Sequence, residues 1–178
     1  MPRPTVEAFD AWLRDRALCL EAIVVGGSAL ALLGITDRQT RDVDVLDPAL
    51  PEEIAQASRD FAAHFRREGV GLADDWLNNG PIQLAAVLPP GWRLRVRPVF
   101  EGAALRLTTL GRPDLLKTKL FALCDRGTDL VDCLALAPTA AELADAQPWL
   151  VQQDANPMWP AHVSATLDDL RGRLGHGV

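Results

Sequence analysis

Hydrophobic residues recur along the chain with two periods, and the switches between them lay out its elements. Val6, Phe9, Leu13 and Ala17 keep helical spacing and predict an amphipathic helix over residues 5–20. Ile23-Val24-Val25 is a short apolar run suited to a buried strand. Gly26-Gly27-Ser28 follows, a turn whose backbone can approach a ligand closely because two residues lack Cβ. Residues 29–33 read as a short helix with Ser28 at its N-cap. After a linker, Asp42-Val43-Asp44-Val45-Leu46 alternates as a strand, so Asp42 and Asp44 project from one face. Pro51 stands where a helix begins, and Ile54, Ala57, Phe61 and Phe65 predict one over 52–67. Its charged residues form a solvated face.

Residues 69–80 are loop-rich and contain Trp76, read as a packing anchor in preference to a base-stacking platform. Residues 82–88 suit a strand or a short helix, stopped by Pro89-Pro90-Gly91. Residues 92–100 alternate apolar and basic, which predicts a strand with Leu94 and Val96 inward and Arg93, Arg95 and Arg97 outward. Those arginines suit a triphosphate or RNA backbone as well as they suit a protected sheet edge. Glu101-Gly102 turns the chain into a second strand over 104–108. Leu116, Leu120 and Leu123 then mark a helix over 113–124, Gly127 ends it, and Thr128-Asp129 caps another over 129–137. Two more helices, 140–146 and 163–174, are joined by a segment containing Pro148-Trp149 and Met158-Trp159-Pro160. The expected class is α/β (α+β): a small mixed β-sheet core over 1–112, with a mainly helical region over 113–178 packed on it as one compact unit.

Composition narrows the setting. The chain has 178 residues, 48% hydrophobic and 24% charged, with a net charge of −6, which suits one domain with a proper core. No apolar run approaches the roughly 18 residues of a membrane span, and the first residues show no signal-peptide pattern. Cys19, Cys124 and Cys133 form no C-x-x-C pair and read as reduced, packed thiols of a cytoplasmic protein. The acidic balance weighs against a dedicated nucleic-acid binder but leaves room for a local basic patch.

The chemistry gathers at Gly26–Asp44. Two carboxylates about 4 Å apart repel by roughly 4 kcal/mol at a surface-like dielectric. A divalent cation with oxygen ligands, Mg²⁺ (or Mn²⁺), removes that repulsion. Taken alone, D-x-D also suits a solvated edge strand. The Gly-Gly-Ser turn upstream, able to offer N–H groups to a phosphate, shifts the reading toward phosphoryl or nucleotidyl transfer.

Gly27-Ser28, thirteen intervening residues, then Asp42-Val43-Asp44-Val45 resembles the signature of the DNA polymerase β-like nucleotidyltransferase superfamily. Gly26-Gly27-Ser28-Ala29-Leu30 with Arg41-Asp42-Val43-Asp44 is similar to its minimal bacterial members, including abortive-infection nucleotidyltransferases that act as toxins in toxin–antitoxin pairs. The string LLKTKLFALCDRGTDLVDCLAL resembles the Lys…Arg…Asp…Asp element found C-terminal to that core. The resemblance implies that Asp42 and Asp44 hold Mg²⁺ on the phosphates of an NTP. Gly26, Gly27, Ser28, Arg41 and Arg126 would contact the nucleotide, and Lys119 would neutralise the leaving pyrophosphate. Asp129 and Asp132 would orient Arg126 or a substrate group. Without the resemblance, the same residues read as a helical hairpin tied by Arg126–Asp129 and Arg126–Asp132 ion pairs. The implied reaction transfers NMP from an NTP to a hydroxyl of RNA (tRNA included) or protein, with a cognate toxin or antitoxin as a further partner.

One departure stands out. The superfamily carries a third carboxylate on a later strand, where this chain has arginines and only Glu101 at the end. Either Glu101 serves, or two acidic ligands suffice, or the site is degenerate and the protein is a nucleotide- or partner-binding module.

Overall fold

The computed structural model describes residues 3–37, 40, 42–69 and 71–176. The chain divides into two compact units, Met1–Leu110 and Gly111–Val178. Among the described residues the first unit forms a five-stranded mixed sheet with three helices. Its elements are α1 (Arg3–Arg14), β1 (Leu20–Val25), α2 (Gly26–Leu32), β2 (Val43–Asp47), α3 (Glu52–Arg67), β3 (Leu77–Asn78), β4 (Arg97–Glu101) and β5 (Leu105–Thr109). The strand order is β3-β2-β1-β5-β4. β1 runs antiparallel to β2, with Val24 opposite Val45 and Val25 opposite Asp44. On its other side β1 pairs in parallel with β5, from Leu20↔Leu105 to Val24↔Thr109. The α/β class expected from the sequence is the one observed.

Alternation explains which sheet face is covered. Val43 and Val45 of β2, Ala22 and Val24 of β1, and Leu105 and Leu107 of β5 share one buried cluster with Val6, Phe9 and Leu13 of α1 and Ile54 and Phe61 of α3. Trp76 is buried in that cluster. Its ring centroid lies 4.9 Å from that of Phe9 at 89°, and its Nε1–H donates to the Ser58 carbonyl at 3.1 Å. It is a packing anchor, with the edge-to-face geometry aromatic quadrupoles favour. The Asp10 carboxylate ties α1 to the β4–β5 turn by accepting from the N–H groups of Ala103, Ala104 and Leu105 at 3.2, 2.8 and 2.7 Å.

The strand expected over 92–100 is shorter. Trp92–Arg95 forms a 3₁₀ turn, and strand geometry begins only at Arg97. The reason is Trp92: its ring is buried and the turn from Gly91 (φ +76°) carries it inward, which leaves Leu94 91% exposed instead of inward. Residues 82–88 resolve as a 3₁₀ segment, Ile82–Ala86. The first helix stops at Arg14, because the chain must be extended by Leu20 to pair with Leu105.

The second unit contains α4 (Arg112–Arg126), α5 (Leu130–Leu136), α6 (Ala140–Val151) and α7 (Trp159–Arg173). Pro113 sits in the first turn of α4, where its missing N–H is harmless, and Gly127 (φ +65°) ends it. α6 opens with a capping box between Thr139 and Glu142 and runs through Pro148, which the sequence reading placed in a connection. Arg112 bonds Glu142 at 2.6 Å and the Leu136 carbonyl at 2.9 Å, joining the start of α4 to α5 and α6.

Candidate functional site

Val25, the last residue of β1, lies opposite Asp44, and the chain turns at once into α2. Gly26 makes that turn at φ +75°, a conformation L side chains rarely adopt. A Cβ there would stand 2.6 Å from Asp44 Oδ2, so the half-buried carboxylate rests against bare backbone. Because α2 already begins at Gly26, Ser28 falls inside its first turn and not at the N-cap expected for it. Its hydroxyl is buried and donates to the Val25 carbonyl at 3.1 Å, bracing the strand-to-helix corner. Gly27 lies between the two in the same turn.

Asp42 is exposed immediately before β2, two residues upstream of Asp44. β3 adds in parallel to the other edge of β2 and brings Asn78 opposite Asp44. The Cβ that Gly80 lacks would lie 2.9 Å from Asn78 Oδ1 and 4.0 Å from Asp44 Oδ1, so both oxygens sit beside the Gly80 backbone. Asn79 fixes this turn: its Nδ2 donates to the carbonyls of Val45 and Pro48, each at 3.0 Å, and its Oδ1 accepts from Leu50 N–H at 2.7 Å. Backbone without a Cβ thus approaches the Asp44 carboxylate on two sides, at Gly26 and at Gly80. Two carboxylates with hard oxygen donors fit one Mg²⁺, which takes one or two protein carboxylates and completes its shell with substrate phosphates and water.

Glu101 is not part of this arrangement. It ends β4 at the far edge of the sheet, three strand spacings or roughly 14 Å from β2. It is also in register with Arg106 and, through it, Glu21 near the start of β1, whereas Asp44 faces the end of that strand. There it borders a separate hollow of about 280 Å³ with Glu21 and Arg106. Among the described residues no group of three or more His, Cys, Asp or Glu forms a metal-type cluster. Nor do the three arginines share a face: Arg93 reaches Asp47 at 3.4 Å and stacks on Trp92, while Arg95 donates to the Pro90 carbonyl at 3.2 Å. Arg41 lies outside the described residues.

In the second unit, Lys119 is only 4% exposed, and its Nζ lies 2.7 Å from Asp132 Oδ2 and 3.4 Å from Asp129 Oδ1. The hairpin tie expected for Arg126 therefore belongs to Lys119. Arg126 is exposed, and among the described residues it forms no ion pair. The left-handed turn at Gly127 and Asp129 (φ +67°) is responsible, folding α5 back toward the face of α4 that carries Lys119. Burial, reinforced by the Asp129 charge, pushes the neighbouring Cys133 thiol up to about 12, and burial pushes Cys124 up to about 11. Both are inert packed thiols, whereas Cys19 is exposed.

A family model described as "nucleotidyltransferase of unknown function (DUF6036)" matches residues 5–137. The chain belongs to this nucleotidyltransferase family. No curated protein and no solved structure matches it. The family match covers the Gly26–Asp44 corner, the Asn78–Gly80 turn and, in the second unit, the Lys119–Asp129–Asp132 cluster. Among the described residues, no helix is long and apolar enough to cross a membrane.

Proposed function

We propose that this nucleotidyltransferase-family protein is a metal-dependent enzyme transferring a nucleoside monophosphate from an NTP to a hydroxyl of RNA or protein, with Asp42 and Asp44 holding the metal. The carrying observation is the Asp44 carboxylate set against the Cβ-less corner at Gly26, with Asp42 two residues upstream. A bound Mg²⁺ or Mn²⁺ would supply neutralisation of the triphosphate's charge. The chain's own part is positional. Ser28 braces the corner, Gly26 and Gly80 bring backbone without a Cβ up to the Asp44 carboxylate, and exposed Asp42 faces solvent from which nucleotide enters. Lys119 enters as the tie between α4 and α5, since a phosphate would have to compete with two carboxylates already on its ammonium. A toxin–antitoxin setting rests only on the resemblance of the two short motifs.

A second reading, a nucleotide-binding protein without turnover, draws on the position of Glu101, which leaves two carboxylates at the corner.

Thermal unfolding with Mg²⁺ and each NTP tests both. Ligand at a hundred times its Kd stabilises by about 2.7 kcal/mol, a rise of roughly 5–10 °C for a chain of this size. We expect that rise in the wild type and not in Asp42→Asn/Asp44→Asn. Release of pyrophosphate with an acceptor selects the enzyme, and a shift without it selects the binding module. No shift with any metal–nucleotide pair would sink both.

A further inference from the structure

Asn78 occupies the position beside Asp44 where a third acidic oxygen would be useful. We infer that Asn78 is the third protein oxygen of the metal–nucleotide site, a neutral one, and that it makes the site accept the cation together with the nucleotide and not before it. The inference rests on the nucleotidyltransferase reading above.

Three observations carry it. First, β3 pairs in parallel with β2 so that Asn78 stands opposite Asp44, and in-register residues of adjacent strands present their side chains to the same face. Second, Asn78 Oδ1 and Asp44 Oδ1 lie 2.9 and 4.0 Å from one and the same point, the Cβ position of Gly80, so both oxygens sit beside that glycine's backbone. Third, the amide is oriented by its own bonds. Nδ2 donates to the Asp75 carbonyl at 3.3 Å, and Oδ1 accepts from Gly80 N–H at 2.7 Å. An amide oxygen has two lone pairs, so one remains for a cation. The neighbouring Asn79, bonded to the exit of β2 through both its amide atoms, keeps the turn in place.

The electrostatic consequence follows from the count of charges. Asp42 and Asp44 give the corner two negative charges, and an aspartate at 78 would give three. Carboxamide and carboxylate oxygens are both hard donors, but affinity for a bare divalent ion climbs with ligand charge. With a neutral oxygen the corner is a poor chelator by itself and becomes a good one once triphosphate oxygens complete the shell. Neutrality also spares Asp44 a like charge directly across the strand pair.

The test is Mn²⁺ binding followed by electron paramagnetic resonance, with and without a non-hydrolysable ATP analogue. Wild type should bind Mn²⁺ weakly alone and tightly with the analogue, and Asp44→Asn should abolish the tight binding. Asn78→Asp keeps the oxygen that accepts from Gly80 N–H, so the turn survives. It should tighten Mn²⁺ binding without nucleotide by about tenfold or more. Asn78→Ala should weaken Mn²⁺–analogue binding by about tenfold. If wild type shows Asp44-dependent Mn²⁺–analogue binding and Asn78→Asp leaves the affinity for Mn²⁺ alone unchanged, the role of Asn78 is overturned and the enzyme reading stands. If wild type shows no such binding, both fall. Should Asn78→Ala fail to fold, the Asn78→Asp arm decides alone.

Discussion

Asp44 Oδ2 lies 2.6 Å from the point where a Cβ on Gly26 would be, and Gly26 itself holds φ at +75°. The carboxylate and the glycine are therefore two halves of one arrangement, since neither position tolerates a side chain at 26.

Gly26→Ala should act twice. The left-handed backbone of a non-glycine residue is worth about 1–3 kcal/mol of lost stability. The new methyl must also displace Asp44, so the nucleotide-dependent rise in melting temperature should shrink as well. Differential scanning fluorimetry with and without Mg²⁺–NTP reads both effects. A variant with wild-type melting behaviour in both conditions would contradict the arrangement.

Lys119→Ala should destabilise the second unit strongly. It strands Asp132, which is fully buried, and Asp129 without their shared cation. Breaking a buried pair from one side is worth about 3–5 kcal/mol. Lys119→Met combined with Asp132→Leu should recover much of that loss, because the fully buried charge is gone and only the partly exposed Asp129 is left without the ammonium. Urea denaturation of the three proteins makes the comparison. Should Lys119→Ala keep its unfolding midpoint and lose nucleotide affinity instead, the ammonium serves the ligand and not the hairpin.

The Arg112–Glu142 pair predicts an acid limb. The Arg112 guanidinium, helped by the Thr139 backbone N–H, holds the Glu142 carboxyl down from its ordinary 4.5 to about 2. A carboxyl depressed in the folded state contributes stability above its unfolded value and loses it as pH falls through the folded one. The stability difference between wild type and Glu142→Gln should thus be constant above pH 4.5 and shrink toward pH 2. Denaturation midpoints measured across that interval decide it, and a difference independent of pH would refute the assignment.

Long periodic segments were legible in the sequence. The helix over Glu52–Arg67 was readable to the residue because Pro51 and the Ile54, Ala57, Phe61 stripe mark its start and its buried face. The strand expected over 42–46 was readable from strict alternation and forms one residue later, as Val43–Asp47, with Asp42 just ahead of it. Where tertiary contacts overrode the local pattern, the reading slipped. The arginine-rich run at 92–97 alternates like a strand, but burial of Trp92 outweighs that alternation and rolls it into a turn. Lys119 and Arg126 lie seven apart on one helix, and spacing alone cannot say which meets the next helix. The turn after Gly127 chooses Lys119. Asn78 carried no spacing signal, because a two-residue strand has no period and its partner is found only by pairing. The Asn78-Asn79-Gly80 sequence announces a turn without saying what the turn flanks.

The parallel pairing of β1 with β5 has a consequence for the nascent and the truncated chain. Leu20 and Leu105 are partners across 85 positions of sequence, so the strand that leads into the Gly26 corner stays an edge until the chain has grown past β4. Ile23-Val24-Val25 carries no charge, no proline and no bulky polar group, the profile of a strand that pairs with another molecule when left uncovered. At the finished edge, by contrast, Pro98 interrupts the donors of β4 and Arg3 donates to the Val99 carbonyl at 3.3 Å. The mature sheet guards its border, while its apolar centre is guarded only by the arrival of residues Leu105–Thr109; any product that stops short of them is left with an open adhesive seam.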